Sequence, residues 1–297
     1  MAEIKRKNKI KGSQAIFIAI GLVFLVHGIS LLLPFIWMII TSFKSRLDMS
    51  NSFLGLPSVW KWENYTGIFD LLKVEIIKKG RFYEYDVFDM FANSLVLAIF
   101  KTFFEMLPCI MCSYCVARYE FKLRKVLFMT NLFVMTIPLQ GSLANTLVVF
   151  QQFHIYDNLL LYIILPGGCF GFNFLMFYNA YKGISKTYSE AVFLDGGGHL
   201  TVFFVIIVPM MLPMFTAIYI LGFIGNWNSY SHSLLFLPSV PTLSYGLYEF
   251  QYNAAKYGAS LPQILAGFTI CSIPSVALYI AFQKPISKSL AIGGLKE

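Results

Sequence analysis

The 297-residue chain is 57% hydrophobic and only 13% charged. Soluble domains usually carry about a quarter charged residues, so this composition excludes an ordinary soluble enzyme. The net charge of +8 is compatible with nucleic-acid binding, but the basic residues form short clusters between apolar runs, the placement expected of lipid-headgroup contacts and orientation signals.

Apolar runs in this chain are long enough to cross a bilayer, which takes roughly 20 residues per helix. The first run follows five basic residues in 5–11, is too long for a signal-peptide core, and is interpreted as a retained helix. The sequence therefore predicts an all-α, polytopic membrane protein in which residues 1–297 form a single transmembrane domain. Its six predicted transmembrane helices lie at about 15–40, 88–117, 126–150, 159–180, 201–225 and 261–282.

The distribution of lysine and arginine between alternate loops predicts the orientation. The side that holds both termini and the loops 118–125 and 181–200 carries 14 of these residues, against 8 on the other side. Short basic loops stay in the cytoplasm. We therefore expect a multi-pass protein of the cell membrane with both termini cytoplasmic.

Three cysteines in the second span, Cys109, Cys112 and Cys115, have the spacing C-x-x-C-x-x-C. A bacterial iron–sulfur run would continue with cysteine and proline, but the chain has Tyr119 and Glu120 at those positions. In an apolar span cysteine behaves as a small hydrophobic residue. The four histidines are scattered, so the sequence predicts neither a metal site nor catalytic residues.

The loop at about 181–200 and the start of the fifth span contain the most specific pattern in the chain. It resembles the EAA signature of ABC-importer permeases, E-A-A-x3-G-x9-I-x-L-P, with valine replacing the second alanine and the leucine. The matching residues are Glu190, Ala191, Gly196, Ile206 and Pro209.

This resemblance implies that the loop couples the permease to an ATPase, through Glu190, Ala191, Asp195, Gly196, Ile206 and Pro209. Small residues at the start would let a short helix enter a groove on a partner protein. The glycines 196–198 would permit a sharp reversal, including positive φ angles. The alternative is an ordinary interhelical loop with a glycine-rich turn.

Three further stretches resemble the carbohydrate, maltose-permease-like branch of these permeases: 33–44, 225–228 and 282–296. The resemblance implies a type I ABC-importer permease fold. It also implies a second homologous permease chain, two cytoplasmic ATPase subunits that bind ATP and Mg²⁺, an extracytoplasmic solute-binding protein and a sugar substrate. The dipeptide Gly-Lys is absent from the sequence, so the chain has no P-loop and ATP must be hydrolysed by a partner.

Polar residues inside the predicted spans are candidates for a translocation path. Lys101 and Glu105 lie four residues apart on one helix face, where they could contact substrate, neutralise each other or anchor the partner permease. The amides of Gln140, Asn145 and Asn173 could hydrogen-bond sugar hydroxyls or join neighbouring helices.

Aromatic and amide residues cluster at the outer end of the fifth span and in the loop 226–259. They could dock the solute-binding protein or form the aromatic belt of the membrane interface. The candidates are Trp227, Asn228, Tyr230, Tyr245 and Tyr248.

The sequence thus favours the permease subunit of an ATP-driven carbohydrate importer, for which an oligosaccharide is the expected substrate. One alternative is an ABC importer for another solute, such as a peptide or phosphodiester. The other is a membrane-embedded lipid-linked transferase, which would need clustered carboxylates or histidines at a membrane face, whereas the chain has isolated ones.

Overall fold

The computed structural model describes residues 2–78, 80–137 and 142–294, and this part of the chain is mostly helical. It divides into two compact units. The first comprises residues up to 71 and 253–270, and the second comprises 72–252 and the residues from 271 onward. The single domain predicted for 1–297 stays a prediction.

The first unit contains the N-terminal helix and two short helices, followed later in the chain by the start of the last helix. Side chains described between 16 and 36 on the N-terminal helix are mostly exposed and apolar, as a lipid-facing helix requires. The elements are α1 (Ala2–Ser42), α2 (Arg46–Asn51), α3 (Glu63–Leu71) and the first turns of α13 (Leu261–Gly294).

A buried lysine holds the loop that follows α1. The Lys44 side chain donates hydrogen bonds to the carbonyls of Ser52 and Phe53 at 2.8 and 3.0 Å. Asn64 donates to the carbonyls of Ser42 and Lys44 at 2.7 and 2.9 Å. These bonds give the buried side chains of Lys44 and Asn64 the acceptors that buried polar groups require.

The second unit begins with a two-stranded antiparallel hairpin in which Val74 pairs with Tyr85. This hairpin corrects the all-α prediction, which treated 42–86 as a polar loop. The elements are β1 (Val74–Lys78), β2 (Arg81–Tyr85), α4 (Val87–Arg118), α5 (Arg124–Thr136), α6 (Ser142–Gln152), α7 (Leu159–Ile164), α8 (Phe172–Gly183), α9 (Thr187–Leu194), α10 (His199–Thr201), a π-helical segment (Val202–Ile207), α11 (Val208–Asn228), a second π-helical segment (His232–Phe236), α12 (Leu243–Tyr252) and the rest of α13.

In the described part of the chain, four helices are long and apolar enough to cross a membrane. They are Ile16–Ser42, Val87–Arg118, His199–Asn228 and Leu261–Lys284. These correspond to the first, second, fifth and sixth predicted spans. The predicted number of six transmembrane helices is not confirmed by these four.

The third and fourth predicted spans are each built from two shorter helices. α5 ends at Thr136, and Ile137, directly before Pro138, is extended; Leu165, directly before Pro166, is extended in the same way. A residue before proline is sterically driven out of the helical region. Within the described residues, each of the predicted spans 126–150 and 159–180 is therefore divided into two helices.

The main core of the second unit lies where α4, α8 and α11 meet. Phe174, Phe177 and Tyr181 of α8 are fully buried there, together with Ile207 from the π-helical segment. Cys109 packs in the same core as a free thiol. The core fixes the C-terminal end of α4 beside the loop that carries the EAA-like residues.

Candidate functional site: the α8–α11 loop and an intramembrane polar ring

The EAA-like residues lie on a short helix and on the start of the next long one. Glu190 and Ala191 are on α9, and Asp195 is its C-cap. No residue of α9 is buried. Apolar side chains are presented outward, and Leu194 is 89% exposed. A helix that shows apolar surface outside the membrane-spanning segments has the form of a docking element.

The turn after α9 is a Schellman motif, which satisfies the last carbonyls of the helix. The amide of Gly196 donates to the Phe193 carbonyl at 3.1 Å, and the amide of Gly197 donates to the Val192 carbonyl at 2.8 Å. Gly196 has a φ of +80°, a left-handed conformation that glycine adopts without strain.

The three glycines of this turn have different roles. A Cβ on Gly196 would meet no atom within 4 Å, so the backbone angle alone requires glycine there. A Cβ on Gly197 would lie 2.5 Å from Val192 Cγ1, so packing requires glycine there. Gly198 is extended and open, and any residue fits its backbone.

Ile206 and Pro209 lie beyond the turn, at the junction of the π-helical segment and α11. Ile206 is half-buried, whereas its neighbour Ile207 is fully buried in the core. Pro209 is at the start of α11 and has no N–H to donate to the preceding turn. The widened turn, in which the Val208 amide reaches the Phe203 carbonyl, directly precedes this missing donor.

The C-terminal end of α4 contacts both ends of the α9 segment. Arg118 donates to the Ile184 carbonyl at 2.6 Å and to the Ser189 hydroxyl at 2.8 Å. The Tyr119 hydroxyl and His199 Nδ1 are 3.2 Å apart. A cavity of about 190 Å³ lies between these groups and is lined also by Glu190. The sequence did not single out Arg118 or Ser189; the only signal was the position of Arg118 at the start of the basic loop 118–125.

Lys101, near the middle of α4, is almost completely buried. Its Nζ donates to the carbonyls of Tyr162 and Leu165 at 3.0 and 3.2 Å and lies 3.4 Å from Glu105 Oε1. An ammonium group has three hydrogens, and these three acceptors account for them. Lys101 and Glu105 therefore form an ion pair, as expected if they neutralise each other, and a contact of either residue with substrate stays a prediction.

The same carboxylate begins a chain of hydrogen bonds that closes into a ring. Asn226 Nδ2 donates to Glu105 Oε2 at 3.1 Å, and Asn226 Oδ1 lies 3.0 Å from His232 Nε2. His232 Nδ1 lies 2.6 Å from the Tyr162 hydroxyl, and the Tyr162 carbonyl accepts from Lys101.

The Glu105 carboxylate determines which atoms donate and which accept in the bonds through Asn226 and His232. Glu105 can only accept, so Asn226 must donate its NH₂ and offer its oxygen to His232. His232 therefore carries a hydrogen on Nε2, and in its neutral form Nδ1 accepts from the Tyr162 hydroxyl. The ring joins α4, α7, α11 and the second π-helical segment. Sequence spacing could not identify Tyr162, Asn226 or His232, because all three lie more than 50 residues from Glu105 along the chain.

The other candidates for the path occupy different surroundings. Asn145 is exposed on α6, and Asn173 is exposed in the first turn of α8. Gln140 lies outside the described residues. Their part in a path stays a prediction.

Trp227 is 2% exposed and packs against Phe91 and Phe223, with ring centroids 5.5 and 5.9 Å away. Its indole donates to the Cys271 carbonyl at 3.2 Å. Trp227 is therefore a core residue of the second unit rather than a docking surface. The expectation that it touches a partner is corrected on that ground.

The remaining residues proposed for docking lie nearer the surface. Asn228 and Tyr230 are exposed, and Tyr245 is half-buried on α12. The Tyr230 and Tyr248 rings stack with centroids 4.6 Å apart and planes 3° apart.

Helices of membrane-spanning length, together with an exposed short helix that has EAA-type spacing, define the class of ABC-importer permeases. The chain belongs to the family described as "binding-protein-dependent transport system inner membrane component", whose profile matches residues 109–291. The predicted membership of the ABC-importer permeases is thus confirmed, and the protein is a non-catalytic membrane subunit.

Curated relatives and a solved structure are similar over most of the chain. The arabinooligosaccharides transport system permease protein AraQ of Bacillus subtilis (strain 168) is 28% identical, over 94% of this chain and 95% of that protein. The diacetylchitobiose uptake system permease protein NgcG of Streptomyces coelicolor is 25% identical, over 91% and 85%. A chain from the crystal structure of a bacterial ABC transporter involved in the import of the acidic polysaccharide alginate has a TM-score of 0.71 at 20% identity, covering 92% of this chain and 97% of that chain. This last likeness shows the permease fold alone.

Proposed function

We propose that this chain is a permease subunit of an ATP-driven importer of carbohydrate, with an oligosaccharide as substrate. The observation that carries the coupling part is α9, an exposed helix with EAA-type spacing whose end is closed by the Schellman turn at Gly196. The relatives AraQ and NgcG are named for oligosaccharide transport, which supports the substrate class.

The charges of the chain favour a neutral solute. No arginine lies within the six predicted spans, and arginine is the residue that grips phosphate bidentately. Lys101 is buried, and its three hydrogens are directed at protein acceptors. It is therefore a poor contact for a uronic acid, and a neutral oligosaccharide is preferred to an acidic one.

In this proposal the chain crosses the membrane six times, as one transmembrane domain with both termini in the cytoplasm. The interrupted segments 124–152 and 159–183 supply the third and fourth crossings, because a broken helix is tolerated where protein surrounds it. The partners are a second homologous permease, two ATPase subunits that bind ATP and Mg²⁺, and an extracytoplasmic solute-binding protein. Asn228, Tyr230, Tyr245 and Tyr248 belong to the surface that meets the binding protein.

The substrate class is tested by ATP hydrolysis in the reconstituted complex. The complex is presented with its binding protein loaded in turn with a neutral oligosaccharide, a uronic-acid oligomer, a peptide and a phosphodiester. We expect the neutral oligosaccharide to stimulate hydrolysis most. Stimulation by the peptide or the phosphodiester alone would contradict the carbohydrate assignment and leave the importer assignment intact.

A further inference from the structure

Arg118 links the end of α4 to the beginning of α9. Its Nη1 donates to the Ile184 carbonyl at 2.6 Å, and its Nη2 donates to the Ser189 hydroxyl at 2.8 Å and to the Ser185 carbonyl at 3.4 Å. Ile184 and Ser185 connect α8 to α9, and Ser189 lies on α9. One planar guanidinium thus holds the connecting segment and the helix together, a geometry for which arginine is suited and lysine is not.

The other end of the α9 segment is also held by the end of α4. The Tyr119 hydroxyl lies 3.2 Å from His199 Nδ1, and His199 follows the glycine turn. The Tyr119 and His199 rings are in edge contact, with centroids 5.3 Å apart. Because both ends of the segment contact the end of α4, a displacement of α9 is passed to that helix rather than absorbed by the connecting residues.

α4 leads from this contact into the membrane. It is helical from Val87 to Arg118 and carries Lys101 and Glu105 of the polar ring. Arg118 follows Glu105 by 13 residues, which corresponds to about 20 Å along the helix at 1.5 Å per residue. One continuous helix, which contains Pro108, therefore connects the contact with α9 to the ring that joins α4, α7 and α11.

We propose that Arg118 is the positioning residue through which movement of α9 is transmitted to α4 and so to the transmembrane helices. This inference rests on the proposed function, because it requires α9 to be the contact with the ATPase. The competing explanation is that Arg118 only stabilises the end of α4.

The substitution Arg124→Ala tests the competing explanation, that the arginine only stabilises the end of α4. Arg124 Nε donates to the Val116 carbonyl at 2.9 Å and its Nη2 to the Ala117 carbonyl at 3.4 Å. Arg124 is therefore an arginine that caps the C-terminal end of α4, as Arg118 would in the competing explanation. Its hydrogen bonds go to α4 itself and not to α9. Loss of Arg124 removes capping, whereas loss of Arg118 removes the link to α9.

The test uses the complete importer in proteoliposomes, with Arg118→Ala, Arg118→Lys and Arg124→Ala in this chain. Solute taken up and ATP hydrolysed are measured together. We expect Arg118→Ala to retain the ATPase subunits and ATP hydrolysis while solute transported per ATP falls at least tenfold. Arg118→Lys should recover part of this ratio, and Arg124→Ala should stay within twofold of wild type. A wild-type ratio in Arg118→Ala, or an equal loss in Arg124→Ala, would overturn the proposal.

A second pair of variants keeps the test decisive if Arg118→Ala does not assemble. Ser189→Ala removes one acceptor on the exposed helix without entering the membrane. If Arg118 and Ser189 act through one contact, Ser189→Ala lowers the ratio in the wild-type background and lowers it by a smaller factor in Arg118→Lys. Equal effects in both backgrounds would contradict the contact.

The variant Gly196→Val separates the two proposals. If Gly196→Val uncouples the importer and Arg118→Ala does not, α9 is the ATPase contact and only the role of Arg118 is wrong. If Gly196→Val and Arg118→Ala both transport normally, the coupling function of the loop is wrong as well.

Discussion

Gly196 offers a test of the coupling loop that separates backbone conformation from packing. Its φ of +80° is costly for any other residue, and most costly for a β-branched one. Because a Cβ there would meet no atom within 4 Å beyond its chain neighbours, we expect Gly196→Val to act through backbone strain. A non-glycine residue held in this region costs about 1–3 kcal/mol. At about 1.4 kcal/mol per factor of ten, the turn should be populated about 5- to 150-fold less.

Gly198→Val is the matched control for this substitution. Gly198 is extended (φ −97°, ψ 179°), and a Cβ there also meets nothing within 4 Å. Valine fits an extended backbone, and the loss of an N-cap glycine from the short helix α10 costs less than about 1 kcal/mol. The two variants thus share a side chain and differ in backbone strain.

The assay is purification through a tag on this chain, followed by measurement of the ATPase subunits retained and of solute uptake in proteoliposomes. We expect Gly196→Val to insert into the membrane but to lose the ATPase subunits, or to retain them without transport. Gly198→Val should behave as wild type. Wild-type transport by Gly196→Val would show that this loop is not the mechanical link.

Two further predictions concern topology and the polar ring. Cysteines introduced in the loops 42–86 and 226–259 should react with an impermeant reagent from outside intact cells, whereas one at Lys186 should not; external labelling at Lys186 would overturn the orientation. Asn226→Ala should lower the melting temperature of the purified complex, because Glu105 Oε2 and His232 Nε2, both partly buried, lose the hydrogen bonds that Asn226 makes to them, at about 1 kcal/mol each. The exposed Asn228→Ala should leave it unchanged, and equal shifts in both variants would show that the ring does not stabilise the protein.

The sequence predicted features that depend on local chemistry. The run of three glycines predicted a sharp turn after α9, but only the structure shows that Gly196 has the positive φ and that Gly197 is required by contact with Val192. The apolar runs predicted membrane helices. However, hydropathy averages over a whole window and so passed over the interruption before Pro166.

Features that depend on distant pairing could not be predicted in this way. Tyr162, Asn226 and His232 carry no local pattern that joins them to Glu105, and their association follows from the packing of four separate elements. The hairpin Val74–Tyr85 was missed for another reason: its strands mix charged with apolar and aromatic residues, are mostly exposed apart from Val74, and lack the strict alternation of a half-buried sheet.

The central claim is that this chain provides part of an ATP-driven path for carbohydrate, and uptake measures it most directly. Proteoliposomes that contain the complete complex and its loaded binding protein should accumulate a labelled neutral oligosaccharide when ATP is supplied to the ATPase side. Complexes carrying Gly196→Val should not, while those carrying Gly198→Val should. Equal ATP-dependent uptake by all three, or by vesicles assembled without this chain, would contradict the account.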